Sequence, residues 1–535
     1  MYFYMTEILL TGAKYLMIIF MAYFVYISFR AQRDVPDEKK KATFILQRIF
    51  IFLTHALAFF CICVNITLNP DINFNIPHAI GLYLGQVAYL VIMCIVIPRF
   101  VSLSNGLNNV MCMFIAIGFI IQTRLNYETS VRQFIILIVG TAIFVVFVFL
   151  CKKAKFLRNL TWVYCIAGMI LLLMVLILSR VTQGAKLALD LGFFSFQPME
   201  FVKIIFVMFV ASAFYKSKSL KMVLITAACA AVHVLIVVFC RDLGSALILF
   251  VIYVLMLYVA TRKLSYLGIS VGCFAIASVI AYFVFNHVQV RILTWLNPWT
   301  DMDNKGYQIT QSLFAIGTGG WFGSGLFRGS PKQVPVVSND MVISAISEEM
   351  GAIFAIFLIL LCLCFVLMIM RVAIRVNNQF YKLLAFGLGT SYAIQVFLTI
   401  GGAIKFIPLT GVNLPFISSG GSSLIASMVM IGIIQAVYVI SEADVKAERV
   451  MIEQGVDIEE FENLDDRKIK KVHEKAFKDL KVVPINEDSI ANATTEEKRY
   501  LKNKIKEVNP DDFDEDDYIA KEKNNKIIHI DPDDF

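Results

Sequence analysis

What most constrains this chain is a repeated apolar run. Uninterrupted stretches of roughly twenty apolar residues, the length a helix needs to cross a bilayer, recur about thirteen times. They lie near 8–29, 45–67, 80–97, 106–123, 133–150, 160–179, 201–215, 222–239, 243–260, 265–286, 341–370, 383–402 and 421–440. In hydrocarbon every backbone donor and acceptor must be satisfied internally, so runs of this length read as helices. The chain is therefore expected to be an all-α polytopic membrane protein.

Charge supplies the expected topology. The inside loops hold Arg30 to Arg48, Arg99, Lys152 to Arg158, Lys216 to Lys221, Arg262/Lys263 and Arg371 to Lys382. Loop 68–79 has no Lys or Arg. By the positive-inside rule this places the N-terminus outside and the C-terminus in the cytoplasm. The first run is longer than a signal-peptide core and lacks a basic segment before it, which reads as an uncleaved anchor. The long loop 287–340 falls outside yet carries basic residues, which calls for a reason such as an anionic ligand.

The net charge of +7 reflects these loops, and no nucleic-acid partner is expected. The eleven cysteines lie mostly in apolar runs with neither zinc spacing nor a disulfide framework. His55 and His233 read as packing residues within apolar runs. The segment 442–535 is charged and polar, with "NPDDF" near 509 echoed by "DPDDF" at the end. It reads as a solvated cytoplasmic tail, with a short docking motif as the alternative.

Four stretches on the outer side break the apolar pattern. In "FQPMEFVKIIF", Glu200 and Lys203 share a helix face at i, i+3, as a structural ion pair or as a functional one. In "CRDLGSALILF", Arg241 and Asp242 sit between two runs, where a bend carrying a charge pair is the plain account. Loop 291–332 is rich in glycine, aromatics and amides and contains Arg291, Lys305, Arg328 and Lys332. Several cations beside a membrane suit a diphosphate head group. In "KFIPLTGVNLPFISSGGSSL", Pro408, Gly411, Pro415, Gly420 and Gly421 forbid a regular helix, and irregular backbone at that depth must be buried in protein or line a cavity. Ahead of the run at 341–370, Ser338, Asn339 or Asp340 could cap a helix. Glu348 lies about 12 Å further along it, too deep for a cap.

Together these stretches resemble the SEDS family (shape, elongation, division and sporulation), the FtsW/RodA/SpoVE group. Its Q-P-S-E-F-x-K pattern is matched by Gln197 to Lys203, D-L-G-[TS]-A by Asp242 to Ala246, and the Gly-Tyr-Gln region by Asn297 to Ser312. E-E-x-G is Glu348 to Gly351, and P-x-T-G-V-x-L-P-F-[IV]-S-x-G-G-S-S is Pro408 to Ser423. The family's H-T-D reads Ser338-Asn339-Asp340. Its Pro before D-L-G is Arg241, the Ser of Q-P-S-E is Met199, and the Tyr of S-Y-G-G is Ser419. The resemblance covers about 103–441. It implies a ten-helix core, with 1–102 as about three additional N-terminal transmembrane helices.

The resemblance further implies a peptidoglycan glycosyltransferase that polymerises lipid II outside the cytoplasmic membrane of a bacterium and releases undecaprenyl diphosphate. Elongation, division and sporulation all fit. Asp340 takes the place of the family's catalytic aspartate. Glu200, Lys203, Arg291, Lys305 and Lys332 are the expected substrate contacts, and Asp242, Glu348 and the Pro/Gly positions of 408–421 are expected to shape the cavity. The implied partner is a class B penicillin-binding protein transpeptidase. Mg2+ or Mn2+ is compatible with diphosphate chemistry, and no organic cofactor is implied. The rivals are a lipid II flippase, since broken helices and buried charges also suit transport, and a non-catalytic scaffold.

Overall fold

Apolar runs become helices that share one bundle. The computed structural model describes residues 2–33, 37–68, 76–153, 155–179, 188–190 and 195–453. The tail beyond 453 lies outside the described residues. Among those described, thirteen helices are long and apolar enough to cross a membrane. They are α1 (Tyr2–Arg30), α2 (Asp37–Leu68), α3 (Ile76–Val91) with its continuation α4 (Ile97–Phe100), α5 (Asn105–Leu125), α6 (Tyr127–Lys153) and α7 (Thr161–Leu178). After the two-residue strands β1 (Leu189–Asp190) and β2 (Ser195–Phe196) come α8 (Pro198–Lys216), α9 (Leu220–Phe239), α10 (Leu243–Thr261) and α11 (Leu264–Val284). The chain then builds α12 (Asn286–Leu296), α13 (Tyr307–Gly319) and α14 (Val342–Met350), and finishes with α15 (Ala352–Arg375), α16 (Gln379–Ala403) and α17 (Gly421–Glu453). One turn of π-helix joins α3 to α4 just before Pro98, whose ring removes a backbone donor.

The helix α5 forms the centre, its apolar window wholly buried, whereas α11 buries no residue. The three added N-terminal spans pack into the same compact unit as the rest. Polar side chains near the helix ends fasten the added helices to α5 and α15. Arg48 donates to Asn105 at 2.7 Å, Asn109 donates to Gln47 at 3.0 Å, and the Gln32 amide donates to the Cys364 carbonyl at 3.3 Å. At the other end of α1, Glu7 pairs with Arg328 at 2.9 Å and Lys14 donates to the Gly323 carbonyl at 2.9 Å. The start of α1 therefore lies at the same end of the bundle as loop 287–340, as the charge pattern requires.

One expected span is corrected. The run 341–370 is two helices, because Gly351 adopts φ 92°, a conformation that glycine takes without steric penalty. The short helix α14 is wholly buried. Crossed backbone bonds lock the break: Ala352 donates to Gly320 and Ser324 to Glu348, at 3.0 and 2.8 Å. Capping is corrected as well. Met341 occupies the N-cap of α14, and no side chain caps it.

Candidate active site

A cavity of about 660 Å³ opens between the start of α8, the α9–α10 turn, α12, α13, the segment before α14 and the irregular segment 404–420. Glu200, Arg241, Asp242, Arg291, Lys305, Gln308, Asp340 and Gly411 line it. Five of these are expected site or cavity residues drawn from distant parts of the chain, joined by Asp340 itself.

Asp340 is 8% exposed. Its carboxylate receives the Gln308 amide at 3.3 and 3.5 Å. Burial pushes its carboxyl up to about 6, against the stabilising backbone amides of Asp340 and Met341, the Gln308 side chain and the Arg291 charge. A carboxylate so placed is a proton acceptor near neutrality. Gly411 faces it: a Cβ on Gly411 would have Asp340 Oδ2, at 3.9 Å, as its nearest neighbour, and the φ of 77° there favours glycine.

What aims Asp340 is a set of bonds to the two residues before it. The Ser418 hydroxyl donates to the Asn339 carbonyl, and the Ser419 amide donates to the Ser338 carbonyl at 2.7 Å. The Asn339 side-chain oxygen receives both the Ser338 hydroxyl at 2.9 Å and the Ser419 hydroxyl at 2.5 Å. From α5, Gln122 donates to the Ser338 and Ile417 carbonyls, each at 3.1 Å. From α6, Gln133 donates to the Ser418 carbonyl at 3.0 Å. Buried irregular backbone is thus hydrogen-bonded rather than orphaned. Sequence reasoning missed Gln122, Gln133 and Gln308; for the first two, an amide inside an apolar run was the available signal.

Glu200 and Lys203 pair at 2.8 Å, as their spacing suggests. Lys203 is buried and also donates to Gln395 at 2.7 Å, and Gln395 in turn donates to the Asn413 carbonyl at 2.9 Å. Glu200 lines the cavity, while Lys203 braces the wall that carries segment 404–420. Lys305 lines the cavity and is exposed. Lys332 sits on a separate exposed turn, Pro331–Gln333, away from the cavity lining. Pro415 is buried, Gly420 and Gly421 abut Asn413 and Ile136, and Pro408 is half-buried in the irregular segment. None of these four lines the cavity.

Glu348 is brought to a different place. Its Oε1 accepts from the Ser330 amide at 2.7 Å, and its Oε2 has no hydrogen-bond partner. Beside it Glu349 pairs with Arg124 at 2.8 Å, and the same guanidinium donates to the Gly329 carbonyl at 3.1 Å and lies 4.5 Å from the Phe327 ring centroid. Burial raises the Glu349 carboxyl to about 7, with Arg124 opposing the shift. This cluster anchors residues 327–330 to α14 and α5. Arg124 was not anticipated.

The turn at Arg241 also differs from expectation. Arg241 and Asp242 form no charge pair; among the described residues the ion pairs are Arg124–Glu349, Lys203–Glu200 and Arg328–Glu7. Arg241 instead closes helix α9 in a left-handed conformation, φ 63°. The Arg241 amide donates to the Val238 carbonyl at 2.9 Å and the Asp242 amide to the Val237 carbonyl at 3.2 Å. That is the Schellman arrangement, in which the left-handed position is usually glycine; a non-glycine residue there costs about 1 kcal/mol or more. Proline, with φ fixed near −65°, has no place in this turn. Asp242 then caps α10, accepting from the Ser245 amide at 3.0 Å. Burial raises the Asp242 carboxyl, with the Ser245 bonds and the charges of Arg291 and Lys203 opposing.

Known proteins place this arrangement. The FtsW/RodA/SpoVE family model, described as "Cell cycle protein", matches residues 107–442. The chain is 34% identical over 328 residues to "Peptidoglycan glycosyltransferase RodA" of Mycobacterium tuberculosis, covering 58% of this chain and 70% of that one. It is 35% identical over 279 residues to "Probable peptidoglycan glycosyltransferase FtsW" of Geobacter metallireducens, covering 50% of this chain and 73% of that one. The fold is similar to a chain of a solved structure reported as "Structural coordination of polymerization and crosslinking by a peptidoglycan synthase complex". That match has a TM-score of 0.54 and 24% identity, and covers 64% of this chain and 98% of that chain. The first three spans lie ahead of the matched region. The chain belongs to the FtsW/RodA/SpoVE family, the SEDS peptidoglycan glycosyltransferases.

Proposed function

We propose that the protein polymerises lipid II at the outer face of the cytoplasmic membrane, with Asp340 as the general base. The observation that carries this reading is a buried carboxylate facing a polar cavity that three cationic residues, Arg241, Arg291 and Lys305, also line. The 4-hydroxyl of one lipid-linked sugar gives its proton to the Asp340 carboxylate as its oxygen bonds to the anomeric carbon of the growing chain. The bond from that carbon to the diphosphate breaks with inversion, and undecaprenyl diphosphate leaves with the electron pair. Gln308 holds the Asp340 carboxylate in place. Arg291 and Lys305 stabilise charge developing on the diphosphate, a use of preorganised cations. Glu200 shapes the cavity, and Lys203 supports it from behind.

Among the described residues no group of three or more His, Cys, Asp or Glu side chains is arranged to hold a metal ion. Mg2+ or Mn2+ therefore has no closed donor set among them. A solved neighbour's description couples polymerization to crosslinking, which supports a crosslinking partner; a transpeptidase of the class B penicillin-binding type is the partner that the family resemblance implies. The orientation with loop 287–340 outside rests on the basic inner loops.

The test is reconstitution in liposomes with labelled lipid II and the transpeptidase. Glycan chains resolved on a gel support polymerisation. Translocated but unpolymerised lipid II points to a flippase instead, and neither product points to a scaffold.

A further inference from the structure

We propose that Arg241 and Arg291 form an anion subsite within the cavity, and that its ligand is the diphosphate of a lipid-linked saccharide. The proposal rests on the polymerase reading for the identity of the saccharide, and on this chain's own geometry for the site. Both arginines line the cavity that contains Asp340. His287 reports their convergence. Its imidazole is held low first by burial and then by the charges of Arg291 and Arg241 together, and its Nε2 is buried without a hydrogen-bond partner. Both charges thus act on one neutral ring beside the cavity that the two arginines line.

Apart from Lys305, the other charges around the cavity are occupied. Glu200 is paired with Lys203, Asp242 caps α10, and Arg291 donates to the Thr410 carbonyl at 3.4 Å and is favoured by both Asp242 and Asp340. Arg241 is exposed, and among the described residues it has neither an ion pair nor a side-chain hydrogen bond. With Lys305, it is one of two lining cations left without a side-chain partner among the described residues. Its backbone supplies the second argument. The turn at φ 63° suits glycine, so neither the turn nor a contact within the fold accounts for arginine there. What the arginine adds at the cavity lining is a planar fork of donors, which matches phosphate oxygens. Its position between the end of α9 and the start of α10 is at the boundary of two spans, the level at which a phosphate joined to a membrane lipid resides.

The experiment measures binding of undecaprenyl diphosphate and of inorganic pyrophosphate to the purified full chain in detergent, for wild type, Arg241→Gly and Arg241→Lys. Polymerisation kinetics with lipid II are run on the same samples. Glycine relieves the strained turn, so Arg241→Gly is expected to keep or raise the melting temperature. It is expected to weaken undecaprenyl diphosphate about tenfold and to raise KM for lipid II more than it lowers kcat. Arg241→Lys, which keeps the charge and loses the fork, falls between. Competition by pyrophosphate locates the contact in the diphosphate itself; lack of competition, with the same dependence on Arg241, shows that the lipid-borne form is needed. Affinities of Arg241→Gly within about twofold of wild type overturn the subsite, as does a wild type that binds neither probe. A wild type that binds through Arg241 yet makes no polymer leaves the subsite standing and removes the polymerase reading.

Discussion

The Ser419 hydroxyl meets the side-chain oxygen of Asn339 at 2.5 Å. Both positions depart from the SEDS pattern, which has Thr and Tyr there, and the departures touch. Ser338, the third departure, donates to the same oxygen at 2.9 Å. The substitutions have thus built one small polar cluster immediately before Asp340, joining the segment ahead of α14 to segment 404–420. Asn339→Ala removes the acceptor for two hydroxyls, and Ser419→Ala removes one donor. Each single change is expected to cost about 1 kcal/mol of stability, and to lower kcat without a matching change in KM. A double-mutant cycle in melting temperature and polymerisation rate checks it. Strict additivity would show that the cluster does not act as a unit.

Asp340 must be ionised to accept a proton, and burial places its carboxyl at about 6. Below that pH the base is protonated, so polymerisation should fall about tenfold per pH unit on the acid side and level off above. Initial rates from pH 5 to 8, roughly spanning that value, read the limb directly. Gln308→Leu removes a donor that favours the ionised form, so its limb should move to higher pH. A limb unmoved by this change contradicts the assigned role of Gln308.

Gly411→Ala puts a methyl group into the space before Asp340 Oδ2 and strains a left-handed backbone at a cost of about 1 kcal/mol. The account expects a larger loss in kcat/KM than in melting temperature, because the methyl occupies the path of the incoming hydroxyl. Equal polymer yield at saturating lipid II would show that the hydroxyl does not approach from that side.

Two ion pairs, Glu7–Arg328 and Arg124–Glu349, are predicted to differ in strength. Glu7 and Arg328 are 44% and 27% exposed as side chains, so charge removal at either should cost about 1 kcal/mol or less. Arg124 and Glu349 are 12% and 1% exposed as side chains, and Arg124→Leu strands a carboxyl at an expected cost of about 3–5 kcal/mol. Lysine should rescue poorly, since Arg124 also serves Gly329 and Phe327. The sign with pH follows from the raised carboxyl. Glu349 binds its proton more tightly folded than unfolded, so its contribution is complete below about 4.5 and is lost as pH rises through about 7. Arg124→Leu should therefore melt at progressively lower temperature as pH climbs through that window.

Much of this was legible because membrane helices announce themselves by length and apolarity, and because charge in an apolar chain is conspicuous. Glu200, Asp242, Arg291, Lys305, Asp340 and Gly411 were each visible as interruptions, and the cavity gathers all six. Lys332 looked equivalent to Lys305 in the sequence, yet it stands on a separate turn, since spacing along a glycine-rich loop does not fix direction. The break at Gly351 was hidden inside an apolar run, where glycine is compatible with a helix and only the crossed backbone bonds show that it is not one. Arg124 and the amides of Gln122, Gln133 and Gln308 act through contacts distant in sequence, such as the Arg124–Glu349 pair, 225 residues apart. No local pattern encodes those.

The most direct measurement is polymer formation from lipid II by purified Asp340→Asn alongside wild type, with melting temperature as the control for folding. Asparagine keeps the shape and the hydrogen bond but accepts no proton, so the account predicts a folded protein whose rate is down by about a hundredfold or more. A folded Asp340→Asn that makes glycan at the wild-type rate would contradict it.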